Sequence, residues 1–298
     1  MTVGRDDTSG TIAADDAEGF ARFRELVTEP ERVADLAAAA DVEREWLDSA
    51  LTVSLAETEF SLRWLARWLT DGQRVLEVGS GLGLTSAYLA STGIDVCSIE
   101  PGGIGFERYE RVNPLLRASL GIAHPHLTMP VEDISAAAAG TFDLVFSNNV
   151  LEHVADVDRT MVALSGVLRP DGVIVHNCPN YHVPYEPHFG IPLLPGWPAH
   201  TAGVLPSRIT STGLWRSLNF VTARQMRRIA AEHGATVQFQ RGVLADAFDR
   251  FGEPEFALRH RVLARFAGPL RVLAPALRRI PPSLATPMIV SWRNAVPR

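Results

Sequence analysis

Residues 75–83, Val-Leu-Glu-Val-Gly-Ser-Gly-Leu-Gly, constrain the fold of this chain more than any other segment. The apolar start is typical of a buried strand, and the three glycines predict a sharp turn into a helix. Such a turn lets a ligand lie against the backbone, and the first helical turn offers free N–H groups. A second apolar run, residues 94–99, ends at Glu100. In a parallel βαβ unit this carboxylate emerges beside the glycine turn and can accept both hydroxyls of a ribose, which predicts a nucleoside-containing cofactor.

Composition places the chain among ordinary globular proteins. It has 298 residues, of which 46% are hydrophobic and 21% charged. No apolar run reaches the roughly 20 residues of a membrane span, and the acidic N-terminus is unlike a secretory signal, so we expect a cytoplasmic protein. Cys97 and Cys178 are expected to be buried thiols, since two cysteines make neither a disulfide framework nor a cysteine-based zinc site. The net charge of −6, without a basic–aromatic stripe, argues against nucleic acid as a partner.

The middle of the chain alternates strand and helix patterns, which implies a parallel sheet with right-handed crossovers. Strands are predicted near 74–78, 95–99, 126–129, 142–147, 172–177 and 235–240, and helices near 83–92, 106–119, 156–168 and 223–233. The predicted organisation is a disordered acidic tail (1–15), a helical cap (16–70), an α/β core (71–245) and a basic C-terminal extension (246–298). Residues 178–213 show no period and are predicted to form an insertion over the acceptor side of the core.

Polar residues follow two further predicted strands. Glu132, Asp133 and Ile134 follow the third strand, where a carboxylate can accept from an adenine amino group and the Ile134 N–H can reach a ring nitrogen. Asn148 lies at the end of the fourth strand. Ligands of open α/β sheets bind outside the carboxyl ends of the strands, so we expect these strand ends to line one crevice.

On these motifs, over residues 74–177, the chain resembles the class I S-adenosylmethionine-dependent methyltransferases, in the small-molecule branch that includes quinone-biosynthesis enzymes. The resemblance implies a Rossmann-like, mostly parallel seven-stranded sheet with helices on both faces, a helical N-terminal cap and a C-terminal extension. It also implies S-adenosylmethionine as cofactor and a small-molecule acceptor, such as a hydroxyl of a sugar, a polyketide-like molecule or a lipid-linked metabolite. The residues that it assigns to the cofactor are Glu77, Gly79, Ser80, Gly81, Gly83, Glu100, Pro101, Glu132, Asp133, Ile134 and Asn148. Residues 151–154 and 168–172 are also typical of this branch.

Each motif has an alternative when it is taken alone. A Gly-x-Gly-x-Gly segment can be only a tight turn, Glu100 can be a solvated strand end, and Asp133 can be a helix cap. An NAD-dependent oxidoreductase is a further alternative, but its fingerprint is Gly-x-Gly-x-x-Gly and residue 84 is leucine. A non-catalytic relative that binds the cofactor without turnover also fits the sequence.

The acceptor side is expected in residues 176–198, a histidine-, proline- and aromatic-rich segment that follows the fifth strand. His188, Glu186 and His182 are candidate bases, with Tyr181 and Tyr185 as orienting groups. His153 is a further candidate for the pocket, or alternatively a contact at a helix start. These histidines can also simply bind loop carbonyls. We take His188 as the general base and expect no metal, since methyl transfer from a sulfonium needs none and no ligand cluster is visible.

The C-terminal extension carries a broken apolar stripe with arginines around it. The apolar residues are Leu258, Val262, Phe266, Leu270, Leu273 and Leu277, and Pro269 and Pro275 interrupt them. This pattern suits either peripheral contact with an anionic membrane or packing onto the domain or a second copy in a homodimer.

Overall fold

The computed structural model describes residues 17–103, 105–252, 256–257, 260–265 and 273–295. The chain divides into two compact units. Unit 1 comprises Met1–Gly102, Phe106–Thr128 and Phe142–Leu144, and unit 2 comprises Gly103–Gly105, Met129–Thr141 and Val145–Arg298.

Unit 1 begins with three helices, α1 (Ala17–Val27), α2 (Pro30–Ala39) and α3 (Arg44–Leu65). On α1, Phe20, Phe23 and Val27 are buried, at the spacing of one helix face. Pro30 opens α2, where its missing N–H removes a donor that would lack a helical partner anyway. The helices predicted before residue 70 are therefore present.

The alternating strands and helices of unit 1 lie close to their predicted positions. They are β1 (Arg74–Val78), α4 (Leu84–Ser91), β2 (Asp95–Ile99), α5 (Glu107–Leu120) and β3 (His126–Leu127). β1 and β2 are parallel, and Val78 pairs with Ile99. The residues that follow this pair, Gly79 and Glu100, therefore leave neighbouring strands at the same level.

The remaining elements belong to unit 2, except that the first three residues of β4, Phe142–Leu144, belong to unit 1. In chain order they are α6 (Ala136–Ala139), β4 (Phe142–Asn148), α7 (Val157–Gly166), β5 (Leu168–Cys178), β6 (Tyr185–Glu186), β7 (Ile191–Pro192), α8 (Ser207–Thr210), α9 (Gly213–Arg216), α10 (Ala223–Glu232), β8 (Thr236–Phe239), α11 (Val243–Asp249), α12 (Arg261–Ala264), α13 (Ala274–Leu277) and β9 (Met288–Arg293). Short 3₁₀ segments occur at Val131–Asp133, Pro198–Val204, Arg250–Gly252 and Pro282–Leu284.

Seven strands form one sheet in the order β3-β2-β1-β4-β5-β9-β8, which confirms the predicted fold class. β9 is antiparallel to both β5 and β8. This strand was not predicted, because it lies inside the segment assigned to a C-terminal extension. Its burial depends on β5, more than a hundred residues earlier, and not on a local period.

Residues 178–213 are more ordered than their sequence predicts. β6 and β7 form a two-stranded antiparallel hairpin, and the 3₁₀ segment and α8 follow it. Tyr181 and Leu193 from this segment pack with Trp215 and Leu218 in a buried apolar cluster. The order therefore comes from aromatic packing, which has no sequence period.

Parts of the predicted termini lie outside the described residues. These are the acidic tail (1–15) and, within the apolar stripe, Leu258, Phe266 and Leu270, together with the side chain of Val262. No helix in the described part of the chain is both long and apolar enough to cross a membrane.

Candidate functional site

In unit 1, the glycine turn between β1 and α4 has the backbone that its sequence predicts. Gly79, Gly81 and Gly83 all have positive φ angles. A Cβ at Gly83 would lie 2.8 Å from Nδ2 of Asn113, so both the φ of +75° and the close packing require glycine there. A Cβ at Gly81 would meet nothing closer than 3.8 Å, so this part of the turn is open to a ligand.

Asn113 holds the turn from α5 and was missed at the sequence level. Its buried Nδ2 donates to the carbonyl oxygen of Gly81 at 2.8 Å. An asparagine in a polar helix carries no local signal of such a role. Ser80, in the same turn, has a buried Oγ with no hydrogen-bond partner among the described residues. A buried hydroxyl without a protein partner fits a site for a polar ligand.

Glu100 reaches the glycine turn, as predicted. Its Oε2 accepts from the Gly81 N–H at 2.9 Å. Burial raises the pKa of Glu100, and the N–H groups of Gly81 and Gly102 offset part of that rise. Pro101, which follows it, is exposed. The Glu100 carboxylate thus accepts a backbone hydrogen bond from the glycine turn, beside which it was expected to lie.

Glu77 is buried at the end of β1 and faces the first turn of α4. One oxygen accepts from the backbone N–H of Ser86 at 2.9 Å and also from the Ser86 hydroxyl. Burial is the largest influence and raises the pKa of Glu77 to about 7. The observed contacts tie β1 to α4.

In unit 2, the predicted adenine-side residues lie in and beside the 3₁₀ segment Val131–Asp133. Asp133 Oδ1 accepts from Arg159 at 2.6 Å in a half-exposed ion pair. Glu132 Oε1 accepts from the Ala155 N–H at 3.2 Å. The Ile134 N–H donates to the Val131 carbonyl oxygen at 3.2 Å, so this donor already has a backbone acceptor.

Asn148 ends β4 beside the end of β5. Its Oδ1 accepts from Nδ2 of Asn177 at 2.6 Å. Next to this pair, the buried Ser147 hydroxyl and His176 Nδ1 are 2.7 Å apart. Polar side chains at the carboxyl ends of β4 and β5 thus lie within hydrogen-bond distance of one another.

Glu186 is the centre of a buried hydrogen-bond network in unit 2. It accepts from His188 Nδ1 at 2.6 Å, from the Tyr181 hydroxyl at 3.2 Å and from the Phe189 N–H at 2.8 Å. Burial alone would raise the pKa of Glu186, but the hydrogen bond and charge of His188 outweigh it and hold that pKa below its usual value. Burial and the Glu186 charge raise the pKa of Tyr181, which keeps its proton.

A second buried carboxylate, Glu152, faces two histidines. His188 Nε2 lies 3.6 Å and His153 Nε2 4.0 Å from Glu152 Oε1. His153 Nδ1 lies 2.8 Å from the hydroxyl of Ser217, which itself donates to the Leu214 carbonyl oxygen. Burial first, and the neighbouring His188 second, lower the pKa of His153 to about 3, so this imidazole is neutral.

We call Glu152, His153, Glu186 and His188 the acid–histidine cluster. The ligand atoms of Glu152, His153 and His188 all lie within 4.8 Å of one another, a set that could hold a divalent metal. The sequence showed no such cluster, because His188 is 35 residues beyond His153. Glu152 lies in the segment 151–154 that is typical of the family branch, but it was missed as a site residue.

The structure brings together only some of the predicted acceptor-side residues. His188, Glu186 and Tyr181 meet, whereas the side chain of His182 is exposed. Tyr185 instead pairs with His260, whose Nδ1 lies 2.6 Å from its hydroxyl.

Comparisons with known proteins place the chain in a family. A family model described as a methyltransferase domain matches residues 34–240. An uncharacterized protein of Mycobacterium tuberculosis (strain H37Rv) is 35% identical over 216 residues, covering 68% of this chain and 73% of that protein. A ubiquinone biosynthesis O-methyltransferase of Bordetella avium is 31% identical over 102 residues, covering 34% of this chain and 41% of that enzyme.

Among solved structures, the [4+2]-cyclase SpnF matches with a TM-score of 0.50 at 17% identity. The match covers 80% of this chain and 81% of that one. At this identity the likeness is one of fold alone.

Proposed function

The chain belongs to the S-adenosylmethionine-dependent methyltransferases, and on that basis we propose that it transfers the sulfonium methyl group to a hydroxyl of a small-molecule acceptor. Family membership makes S-adenosylmethionine, rather than NAD, the cofactor. The observation that carries the acceptor chemistry is the acid–histidine cluster, in which the partly buried His188 imidazole lies between two buried carboxylates.

For the methyl donor, the fit rests on the glycine turn of unit 1. Ser80 offers a buried hydroxyl, Gly81 leaves room for a ligand, and Glu100 can accept ribose hydroxyls. Carried over from the family motifs, Asp133 is proposed to contact adenine and the Asn148 backbone to approach the methionine part. When bound, the donor supplies an already activated methyl group, so catalysis chiefly needs an oriented nucleophile.

His188 is proposed as the general base. From its neutral form, His188 keeps the Nδ1 proton that it donates to Glu186 and presents a lone pair at Nε2, which can take the acceptor's hydroxyl proton. The imidazolium that results lies between the Glu186 and Glu152 carboxylates, which stabilise its charge. Tyr181 and Phe189 orient Glu186 through their own donors.

The test compares His188→Gln with His182→Ala, a change at the exposed histidine of the same segment. Formation of S-adenosylhomocysteine is measured against a panel of sugar, phenol and lipid-linked hydroxyl acceptors, and S-adenosylhomocysteine affinity is measured by calorimetry. We expect His188→Gln to lose at least about 100-fold in kcat with unchanged affinity, because general-base catalysis contributes that much. His182→Ala should retain full activity. Full turnover by His188→Gln would contradict the assignment.

A second candidate is metal-assisted deprotonation, with Glu152, His153 and His188 as the metal ligands. In His188, Nδ1 lies within hydrogen-bond distance of Glu186, and in His153 it lies within hydrogen-bond distance of Ser217. The Nε2 atom of each histidine faces Glu152. This pattern matches metal-binding histidines with outer-shell partners. The assay above, repeated after chelator treatment and with metal analysis of the purified protein, separates the candidates. General-base catalysis predicts unchanged turnover, whereas a stoichiometric metal whose removal abolishes turnover would favour the second.

A further inference from the structure

Apolar side chains are exposed together in one short segment of unit 2. Among the described residues seven large apolar side chains are exposed, and three of them lie between residues 194 and 204. Leu194 is 41% exposed, Trp197 69% and Val204 75%. We call these three residues the apolar knob. Scattered single apolar residues are normal on a surface, but a concentration within eleven residues needs an explanation.

The knob is held in place and is not a frayed loop. The Leu194 N–H donates to the buried Thr201 hydroxyl at 2.9 Å, and the Trp197 N–H donates to the Leu194 carbonyl at 3.1 Å. Leu193, the immediate neighbour of Leu194, is buried in the apolar cluster with Tyr181, Trp215 and Leu218. The segment therefore has an apolar core available and nevertheless presents the three knob side chains to solvent.

In the sequence around the knob, every residue with a fixed charge is an arginine. Residues 187–231 contain five arginines and no aspartate or glutamate, although the whole chain has a net charge of −6. Arg208 and Arg216 are exposed, and neither forms an ion pair within the described ranges. Their charges are free to attract an anionic surface.

The composition of the knob and its sequence neighbours favours a lipid surface, because the charged residues beside it along the sequence are all basic. Insertion into lipid headgroups needs only a few apolar side chains, with tryptophan at the boundary and basic residues beside them.

We propose that the apolar knob, with Arg208 and Arg216, docks this protein reversibly on an anionic phospholipid surface. These residues are different from those of the C-terminal apolar stripe. The inference does not depend on methyl transfer, so its failure would leave the proposed function untouched.

The experiment is co-sedimentation of the full chain with vesicles of phosphatidylcholine alone or mixed with phosphatidylglycerol. Three variants are compared with the unchanged chain: Leu194→Ser/Trp197→Ser/Val204→Ser, Arg208→Gln/Arg216→Gln, and the control Leu26→Ser/Val162→Ser, which alters exposed apolar residues elsewhere. We expect binding to the anionic vesicles only. The knob variant should bind at least about tenfold more weakly, the arginine variant about 25-fold more weakly, and the control equally well.

Thermal unfolding and S-adenosylhomocysteine affinity check that each variant is folded. If the knob variant does not fold, the arginine variant still tests the proposal. Absence of vesicle binding, equal binding by the knob variant, or equal binding to both vesicle types would overturn the proposal. Light scattering is run without vesicles. Dimers that disappear in the knob variant would assign the knob to contact between copies and also overturn it.

Discussion

At the residue scale, two buried glutamates show how environment sets acidity. The hydrogen-bond donors of Glu77 are neutral groups of Ser86 and Thr85, and burial, with a smaller contribution from the charge of Glu100, raises its pKa to about 7. Glu186 is buried as well, but His188 lies against it and its pKa is lowered. Desolvation disfavours a carboxylate, whereas an opposite charge at hydrogen-bond distance favours it. The same residue type thus ties two elements together at one position and orients an imidazole at the other.

The pKa of Glu77 makes stability depend on pH. A carboxyl whose pKa is higher in the folded chain binds its proton more tightly there, so its stabilising contribution is full below about pH 4.5 and lost as pH rises through about 7. Glu77→Gln removes this dependence. Relative to the unchanged chain, the variant should gain up to roughly 3 kcal/mol between pH 4.5 and pH 8.

Urea unfolding at the two pH values measures this change. Glu45→Gln, at an exposed position of α3, is the control. Its free energy of unfolding should differ from that of the unchanged chain by the same small amount at both pH values. A Glu77→Gln difference that does not vary with pH would show that burial does not control this carboxyl.

At the element scale, local sequence signals predict where α10 begins and ends. The sequence Thr222-Ala-Arg-Gln predicts a capping box that opens a helix, and Gly234 predicts its end. In the structure the Thr222 hydroxyl accepts from the Gln225 N–H at 3.2 Å, and α10 begins at Ala223. These signals are local, because the cap satisfies a backbone donor only three residues away. β9 has no such signal, because its partners are distant in sequence.

Thr222→Ala should destabilise the protein by about 1 kcal/mol, because one N-terminal donor of α10 loses its acceptor. Thr52→Ala is the matched control, since Thr52 is exposed inside α3 and its hydroxyl donates to the Asp48 carbonyl. Alanine is the better helix former there, so we expect no loss. Equal losses for both variants in urea unfolding would argue against a capping role.

At the scale of the whole molecule, Asn180 links segments that are far apart in sequence. Its Nδ2 donates to the carbonyls of Ser283 and Ala285 at 3.1 and 3.0 Å. Its Oδ1 accepts from the His182 and Ala223 N–H groups at 3.3 and 3.2 Å. One buried side chain therefore fixes the end of β5, the start of α10 and the approach to β9.

Asn180→Ala should cost roughly 2–4 kcal/mol, since several buried backbone groups lose their partner together. Asn294→Ala is the control, because the Asn294 side chain makes two hydrogen bonds instead of four: its Nδ2 donates to the Ser165 carbonyl at 2.9 Å, and its Oδ1 accepts from Trp292 Nε1–H at 3.3 Å. We expect it to cost about 1 kcal/mol. Denaturant midpoints measure both, and similar shifts would contradict the linking role of Asn180.

The sequence by itself determined the strand–glycine–helix unit, the position of Glu100 beside it and, through these, the family and its cofactor. These features are recognisable because each depends on neighbours within a few residues or on one parallel strand pair. Only the tertiary structure decided the acid–histidine cluster, the support of the glycine turn by Asn113 and the segment that forms the remaining strand of the sheet, β9. Glu152 and His188, like β9 and β5, come together through packing between distant segments, and no local pattern records such a contact. A sequence read alone therefore identifies the methyl donor, while the fold assembles the residues proposed to act on the acceptor.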